Sequence, residues 1–273
     1  MSLVDFVVEV VKRNGDTVIS QSGSRVVAAV QPILASGATG REYGVEVACQ
    51  EGRLSAREFG TSFLPNWCPE RHINPNGTFC LYWEEAEPLA FATLEDVAFW
   101  WGKVLAFLAR QGPAERLRRW PGKGDARAHG AEAARAQAEA EEAAATLGPE
   151  FTFDLREGRL ATSMSRLGGL QRVRLLRDGR RIASVDIRRR TVLTLRSRCR
   201  CGEAAVTRLP LCACGQHAGA LAVLTLALHR WSRAEAEFFA HFARSGRKCC
   251  GTIDDCPLAG WVPSDEPQAR RVA

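Results

Sequence analysis

The chain has 273 residues, of which 46% are hydrophobic and 25% charged, with a formal net charge of +6. That length allows two ordinary domains, and the composition excludes a disordered or fibrous chain. No run reaches the roughly 18 apolar residues that span a bilayer. The opening MSLVDFVVEVVKRNGD carries acids within its apolar run and no basic region before it; a secretory leader and a membrane partner are therefore not expected, and a cytoplasmic setting is.

In chain order, VDFVVEVV is β-branched and apolar, and Asn14-Gly15-Asp16 is a turn signal, so residues 1–60 read mainly as strands, with TVISQSG, RVVAAVQPIL and YGVEVACQ as further strand or helix candidates. Residues 63–92, with prolines at 65, 69, 75 and 88, read as loop. Thr93 with Asp96 predicts a capping box. Leu94, Val97, Ala98, Trp101, Leu105 and Leu108 follow at helical spacing, and Gln111-Gly112-Pro113 is expected to stop that helix. AEAARAQAEAEEAAA (131–145) predicts a helix with few large apolar groups, exposed or lightly packed, ending at Gly148-Pro149. A strand meander over 150–196 is expected, with a hairpin turn at Asp178-Gly179. An apolar helix over Ala218 to Ala243 and a polar, disordered tail from Pro263 complete the reading.

Ten cysteines in a chain of this kind point to metal or catalysis rather than disulfides. Cys199-x-Cys201 and Cys212-x-Cys214 form two close pairs, the arrangement that tetrahedral zinc takes from turns. A second reading joins Cys212-Ala213-Cys214-Gly215 to Lys248-Cys249-Cys250-Gly251, which resembles the SEC-C zinc motif with a helical insertion. Cys212 and Cys214 belong to both sets. His217, His241 and Cys256 are candidates for a second ion. Charge is uneven: residues 1–125 hold 13 basic and 15 acidic side chains, and the basic excess lies between Glu150 and Arg200. That stripe reads as a solvated sheet face, with a nucleic-acid surface as the alternative.

The stretch Arg71-His72-Ile73-Asn74-Pro75-Asn76-Gly77-Thr78-Phe79-Cys80-Leu81 resembles the active-site segment of the ubiquitin-conjugating E2 family, with its His-x-Asn tripeptide, glycine loop and Cys-Leu. Phe63-Leu64-Pro65 before it, and Trp83, Pro88 and Thr93-Leu94 after it, fit the same family, as do Trp120-Pro121-Gly122 and His129-Gly130 more loosely. The spacing from His72 to Cys80 is shorter than in most eukaryotic members and is similar to compact prokaryotic E2-like proteins, found beside E1-like and deubiquitinase-like genes; a part in antiphage defence is implied. Ile73 replaces the usual proline.

The resemblance implies an α+β class: a UBC-like antiparallel sheet flanked by helices over residues 1–148 with a trailing helix, a β-rich zinc-binding domain over 149–262, and a tail over 263–273. It implies Cys80 as thioester nucleophile, Asn74 as oxyanion donor or loop orderer, and His72 as a brace. Glu84, Glu85 and Glu87 are candidates for the acid that aids an acceptor lysine. The implied partners are an E1-like activating enzyme, a ubiquitin-like modifier and a protein acceptor. A non-catalytic E2-like scaffold is the alternative. A Cys68/His72 hydrolase lacks an assignable Asn or Asp partner, and Cys49 reads as core.

Overall fold

A computed structural model describes residues 2–85, 88–121, 127–167, 169–194, 199 and 214–259. They fall into two compact units, one built from residues 1–121 and 239–273, the other from residues 122–238.

The first unit opens with a helix, α1 (Leu3–Arg13), where strand was expected. Valine disfavours helix only weakly, and two stronger signals oppose it. Ser2 and Asp5 form a capping box, and Val4, Val7, Val10 and Val11 fall on one buried face. Four antiparallel strands follow in simple meander order: β1 (Thr17–Ser22), β2 (Arg25–Val30), β3 (Tyr43–Gln50) and β4 (Arg53–Glu58). Tyr43, Val45 and Val47 of β3 alternate into the core. On the other face, Glu46 is held by Arg57 of the neighbouring strand at 2.8 Å.

After a long connection, α2 (Leu94–Leu117) starts at the predicted Thr93/Asp96 box. It does not stop at Pro113 but carries it inside. A helical proline forfeits one backbone bond; here the same turn buries Gln111 and Ala114, and Gln111 exchanges hydrogen bonds with Arg71. The buried stripe is Val97, Trp100, Trp101, Val104, Phe107 and Leu108, so Ala98 is exposed and Trp100 takes the central place.

In the second unit, α3 (Ala131–Leu147) is followed at Gly148 by a short α4 (Pro149–Arg156). The alanines of α3 are not lightly packed. Ala133, Ala134, Ala136, Ala140, Ala143 and Ala144 are all buried, because small side chains let neighbouring elements come close. The second sheet is also an antiparallel meander: β5 (Leu160–Leu167), β6 (Leu170–Arg177), β7 (Arg180–Asp186) and β8 (Thr191–Val192). The β6–β7 turn is Asp178-Gly179, with φ of 48° and 77°, the left-handed pair that a two-residue hairpin requires. Arg159 and Arg177, part of the basic stripe, are engaged with Asp154 at 3.0 and 2.6 Å. The helix α5 (Gly215–Arg244) supplies the apolar residues Leu221, Leu224, Ala227 and Leu228 to this unit's core. The α+β class holds, with three helices described alongside the second sheet. Among the described residues no helix is long and apolar enough to cross a membrane. The predicted tail from Pro263 lies outside the described residues.

Candidate functional site

The segment from Cys68 to Cys80 is built from two short backbone exchanges. Cys68 and Ile73 trade hydrogen bonds, Ile73 N–H to the Cys68 carbonyl at 2.9 Å and Cys68 N–H to the Ile73 carbonyl at 3.2 Å. Between them Pro69–Arg71 forms one 3₁₀ turn, and His72 caps it in the left-handed region at φ 55°. Beyond Ile73 the chain makes a tight hairpin. Asn74 N–H bonds to the Thr78 carbonyl at 2.8 Å, and Gly77 turns it with φ 80°. Cys80 N–H closes the hairpin on the His72 carbonyl at 2.8 Å.

This hairpin is anchored from below. Ile73 and Phe79 are buried, and Phe79 stacks on Phe107 of α2 with ring centroids 4.4 Å apart. Phe79 N–H also donates to the carbonyl of Ala56 at 2.8 Å, so the hairpin adds on to the edge of β4. Alternation then turns the intervening residues, Asn74, Thr78 and Cys80, to the opposite side. Cys80 is exposed and Asn74 half-buried. The Asn74 side-chain amide donates to Thr78 Oγ1 at 3.0 Å, and Thr78 Oγ1 donates to Asn76 Oδ1 at 2.7 Å, which fixes the orientation of Asn74. His72 is buried, its ring edge-on to Trp120 at 4.9 Å.

Desolvation raises the Cys80 thiol above its ordinary range. Protein atoms therefore crowd the sulfur even though the residue keeps an open surface. The open surface decides whether a partner can reach it, and the crowding lowers its thiolate fraction at neutral pH. A cleft of about 520 Å³ lies along the hairpin's inner side, lined by Leu64, Pro65, Ile73, Pro75, Gly77 and Phe79. Neither Cys80 nor Asn74 lines it. Of the acidic candidates, Glu84 meets Arg53 at 3.0 Å, and Glu87 lies outside the described residues.

The cysteines expected to hold metal separate into two groups. In the second unit Cys199, Cys214 and His217 converge, with His217 Nδ1 3.3 Å from the Cys199 sulfur and 3.1 Å from that of Cys214. All three ligand atoms lie within 4.8 Å of one another. Soft sulfur with imidazole is a donor set suited to a tetrahedral ion. Cys201 and Cys212 lie outside the described residues. Cys249 and Cys250 belong to the first unit, where the Cys250 sulfur stands 3.0 Å from that of Cys68. Cys68 is a partner that the sequence reading missed, since its neighbours come from the far end of the chain. The hydrogen bond shared with Cys68, the Thr252 hydroxyl and the field of Arg71 hold Cys250 down to about 5, and the same bond pushes Cys68 up.

Residues 15–122 match the family model described as a prokaryotic E2 domain, and residues 128–258 match that of a cysteine-rich domain C-terminal to an E2 domain. No curated protein and no solved structure matches the chain.

Proposed function

From a chain that is a prokaryotic E2 domain followed by the cysteine-rich domain found C-terminal to such domains, we propose that Cys80 carries a ubiquitin-like modifier as a thioester. The single observation that supports this best is the hairpin itself. It buries Ile73 and Phe79 as anchors and leaves Cys80 exposed at its rim, and the same hairpin carries an oriented Asn74.

The chemistry follows from that arrangement. The Cys80 thiolate attacks the carbonyl of the modifier's C-terminal thioester on an E1-like enzyme, and the E1 thiolate leaves. Each thioester is replaced by another, so the exchange needs no strong base. An acceptor amine then attacks the Cys80 thioester. The tetrahedral oxyanion collapses to an amide, the amine gives up a proton, and Cys80 leaves as thiolate. Asn74 supplies an N–H for that oxyanion, or holds the loop that does. His72 and Trp120 hold the hairpin in place from within.

Cys199, Cys214 and His217 hold a structural zinc in the second unit, with a further ligand from the adjoining cysteines Cys201 and Cys212. That ion supplies folding free energy to the unit.

Incubation with an E1-like enzyme, a ubiquitin-like modifier and ATP, followed by a non-reducing gel, tests the carrier reading. A conjugate that a thiol reductant removes is expected for the native chain, a reductant-resistant ester for Cys80→Ser, and none for Cys80→Ala. No conjugate in any of the three would leave the scaffold reading, and an identical conjugate in all three would place the attachment at a residue other than Cys80.

A further inference from the structure

The second sheet carries its charge unevenly. Every basic side chain between residues 150 and 200 is an arginine. At the end of the sheet marked by the β6–β7 turn, acids are mixed among them. Asp154 holds Arg159 and Arg177, Asp178 holds Arg159, and Glu150 stands 3.9 Å from Arg177.

At the opposite end that balance is lost. Arg166 of β5 pairs with Gln171 of β6, and the Ile187 N–H donates to the Gln171 carbonyl at 3.2 Å. Two strand spacings therefore bring Arg166 within about 10 Å of the connection between β7 and β8. That connection is Ile187-Arg188-Arg189-Arg190, and Arg172 of β6 lies beside it, opposite Asp186. Arg166, Arg188, Arg189 and Arg190 are exposed, and Arg172 is half-buried. None of the five makes an ion pair with a carboxylate among the described residues. Arg174, two residues along from Arg172 and on the same face, keeps a buried Nε with no hydrogen-bond partner among the described residues.

Asp186 is the only acid of the sheet at this end, and it is used up by the backbone. It is buried, and its Oδ1 accepts the N–H of Arg188 at 2.8 Å and of Arg189 at 3.0 Å. Its carbonyl accepts the N–H of Arg190 at 2.9 Å. Arg172 donates from Nε to the Ser165 hydroxyl at 2.8 Å instead. Arg190 stands in the left-handed region at φ 54°, where glycine and asparagine are favoured. Three successive like charges are thus held in one fixed turn, and their mutual repulsion opposes folding. A bound polyanion would offset that repulsion and find the turn already formed.

We propose that this end of the sheet, with Arg166, Arg172, Arg188, Arg189 and Arg190, docks a nucleic acid by its phosphate backbone, without regard to sequence. The planar guanidinium fork fits phosphate oxygens two at a time. No aromatic residue lies in β5–β8 or its turns. Bases therefore find no platform to stack on, and a protein partner finds no aromatic anchor. What is left is contact with phosphates, which positions a nucleic acid and carries no sequence information. The surface does not depend on what Cys80 carries.

Fluorescence anisotropy of a labelled duplex DNA of mixed sequence, titrated with the full chain, tests it. Five phosphate contacts predict a log–log slope of affinity against salt of about −4. Two double variants of equal charge make the comparison. Arg188→Gln with Arg189→Gln is expected to weaken binding by about 10- to 100-fold at about 0.1 M salt and to flatten the slope by about 2. Arg180→Gln with Arg181→Gln, at the other end of the sheet, is expected to leave the slope unchanged. All four side chains are exposed, so both variants should unfold at the native midpoint. Should either unfold early, Arg166→Gln is read in the same way, with the slope flattened by about 1. No binding by the native chain at low salt, or equal losses in the two double variants, overturns the proposal. Displacement of the DNA by polyglutamate of equal charge also overturns it, and assigns the surface to an acidic protein.

Discussion

Cys68 and Cys80 stand at the two ends of one stretch of chain, and their surroundings are opposed. Cys68 is buried with its sulfur against Cys250, whereas Cys80 is exposed on the rim of a hairpin. Their immediate neighbours in sequence do not explain the contrast. What separates them is which backbone exchange each one joins. Cys68 lies at the root, where the 3₁₀ turn faces the returning C-terminal segment. Cys80 lies beyond two buried anchors, Ile73 and Phe79, whose alternation turns it outward. A cysteine's chemistry is thus set by what lies two or three bonds to either side in space, and the contrast can be attacked at either end.

The anchors carry the largest effect. Phe79→Ala removes the stacking on Phe107 and leaves a cavity beneath the hairpin, so a loss of about 3–5 kcal/mol is expected in chemical denaturation. Cys80 should then lose its protected geometry along with the fold. A loss under about 1 kcal/mol would mean that the hairpin is not held from below.

Asn74 comes next. Asn74→Ala is expected to slow transfer to an amine acceptor by about 10²-fold, the usual cost of one oxyanion donor, while leaving thioester formation nearly unchanged. Thr78→Val, which removes the hydroxyl that orients the Asn74 amide, should give a smaller loss in the same step. Equal losses in both steps would instead make Asn74 a loop orderer.

A smaller effect concerns pH. Desolvation raises the Cys80 thiol, so its thiolate fraction is below that of a free cysteine at neutral pH and grows as pH rises. Alkylation of Cys80 by iodoacetamide should therefore climb about tenfold per pH unit, and continue to climb where an ordinary thiol has levelled off. A plateau at or below the ordinary thiol range would show that the exposed surface dominates over the crowding.

The smallest effect is that of Cys80→Ala on stability. An exposed side chain away from caps and core is expected to change unfolding by no more than about 0.5 kcal/mol. A much larger loss would mark Cys80 as a packing residue, like Cys68.

Much of the first unit was legible. The β1–β3 runs and the Thr93/Asp96 cap stand where local pattern places them, whereas the hairpin that carries Cys80 lies in a stretch that reads as loop. The misreadings share a cause: local propensity was weighed above periodicity or size. The valines of α1 look like strand, but their spacing and the Ser2/Asp5 box make helix. Pro113 looks like a stop, but the buried Gln111 that clasps Arg71 holds the turn together. The alanines of α3 look exposed because they are small, and are buried for the same reason. The pairing of Cys68 with Cys250 was not legible, because proximity across so long a stretch of chain leaves no local pattern. The centre at Cys199, Cys214 and His217 was legible in its two cysteines. His217 was only a candidate for another ion, and its place one helical turn past Cys214 is what brings it in.

The central claim is that Cys80 carries the modifier. Peptide mapping of the native chain, quenched under acid after brief incubation with an E1-like enzyme, a ubiquitin-like modifier and ATP, tests it most directly. The modifier's C-terminal residue joined to the Cys80 sulfur, in a linkage that hydroxylamine cleaves, is the predicted result. A modifier attached elsewhere, or a Cys80 that stays free while the E1-like enzyme is fully charged, would contradict it.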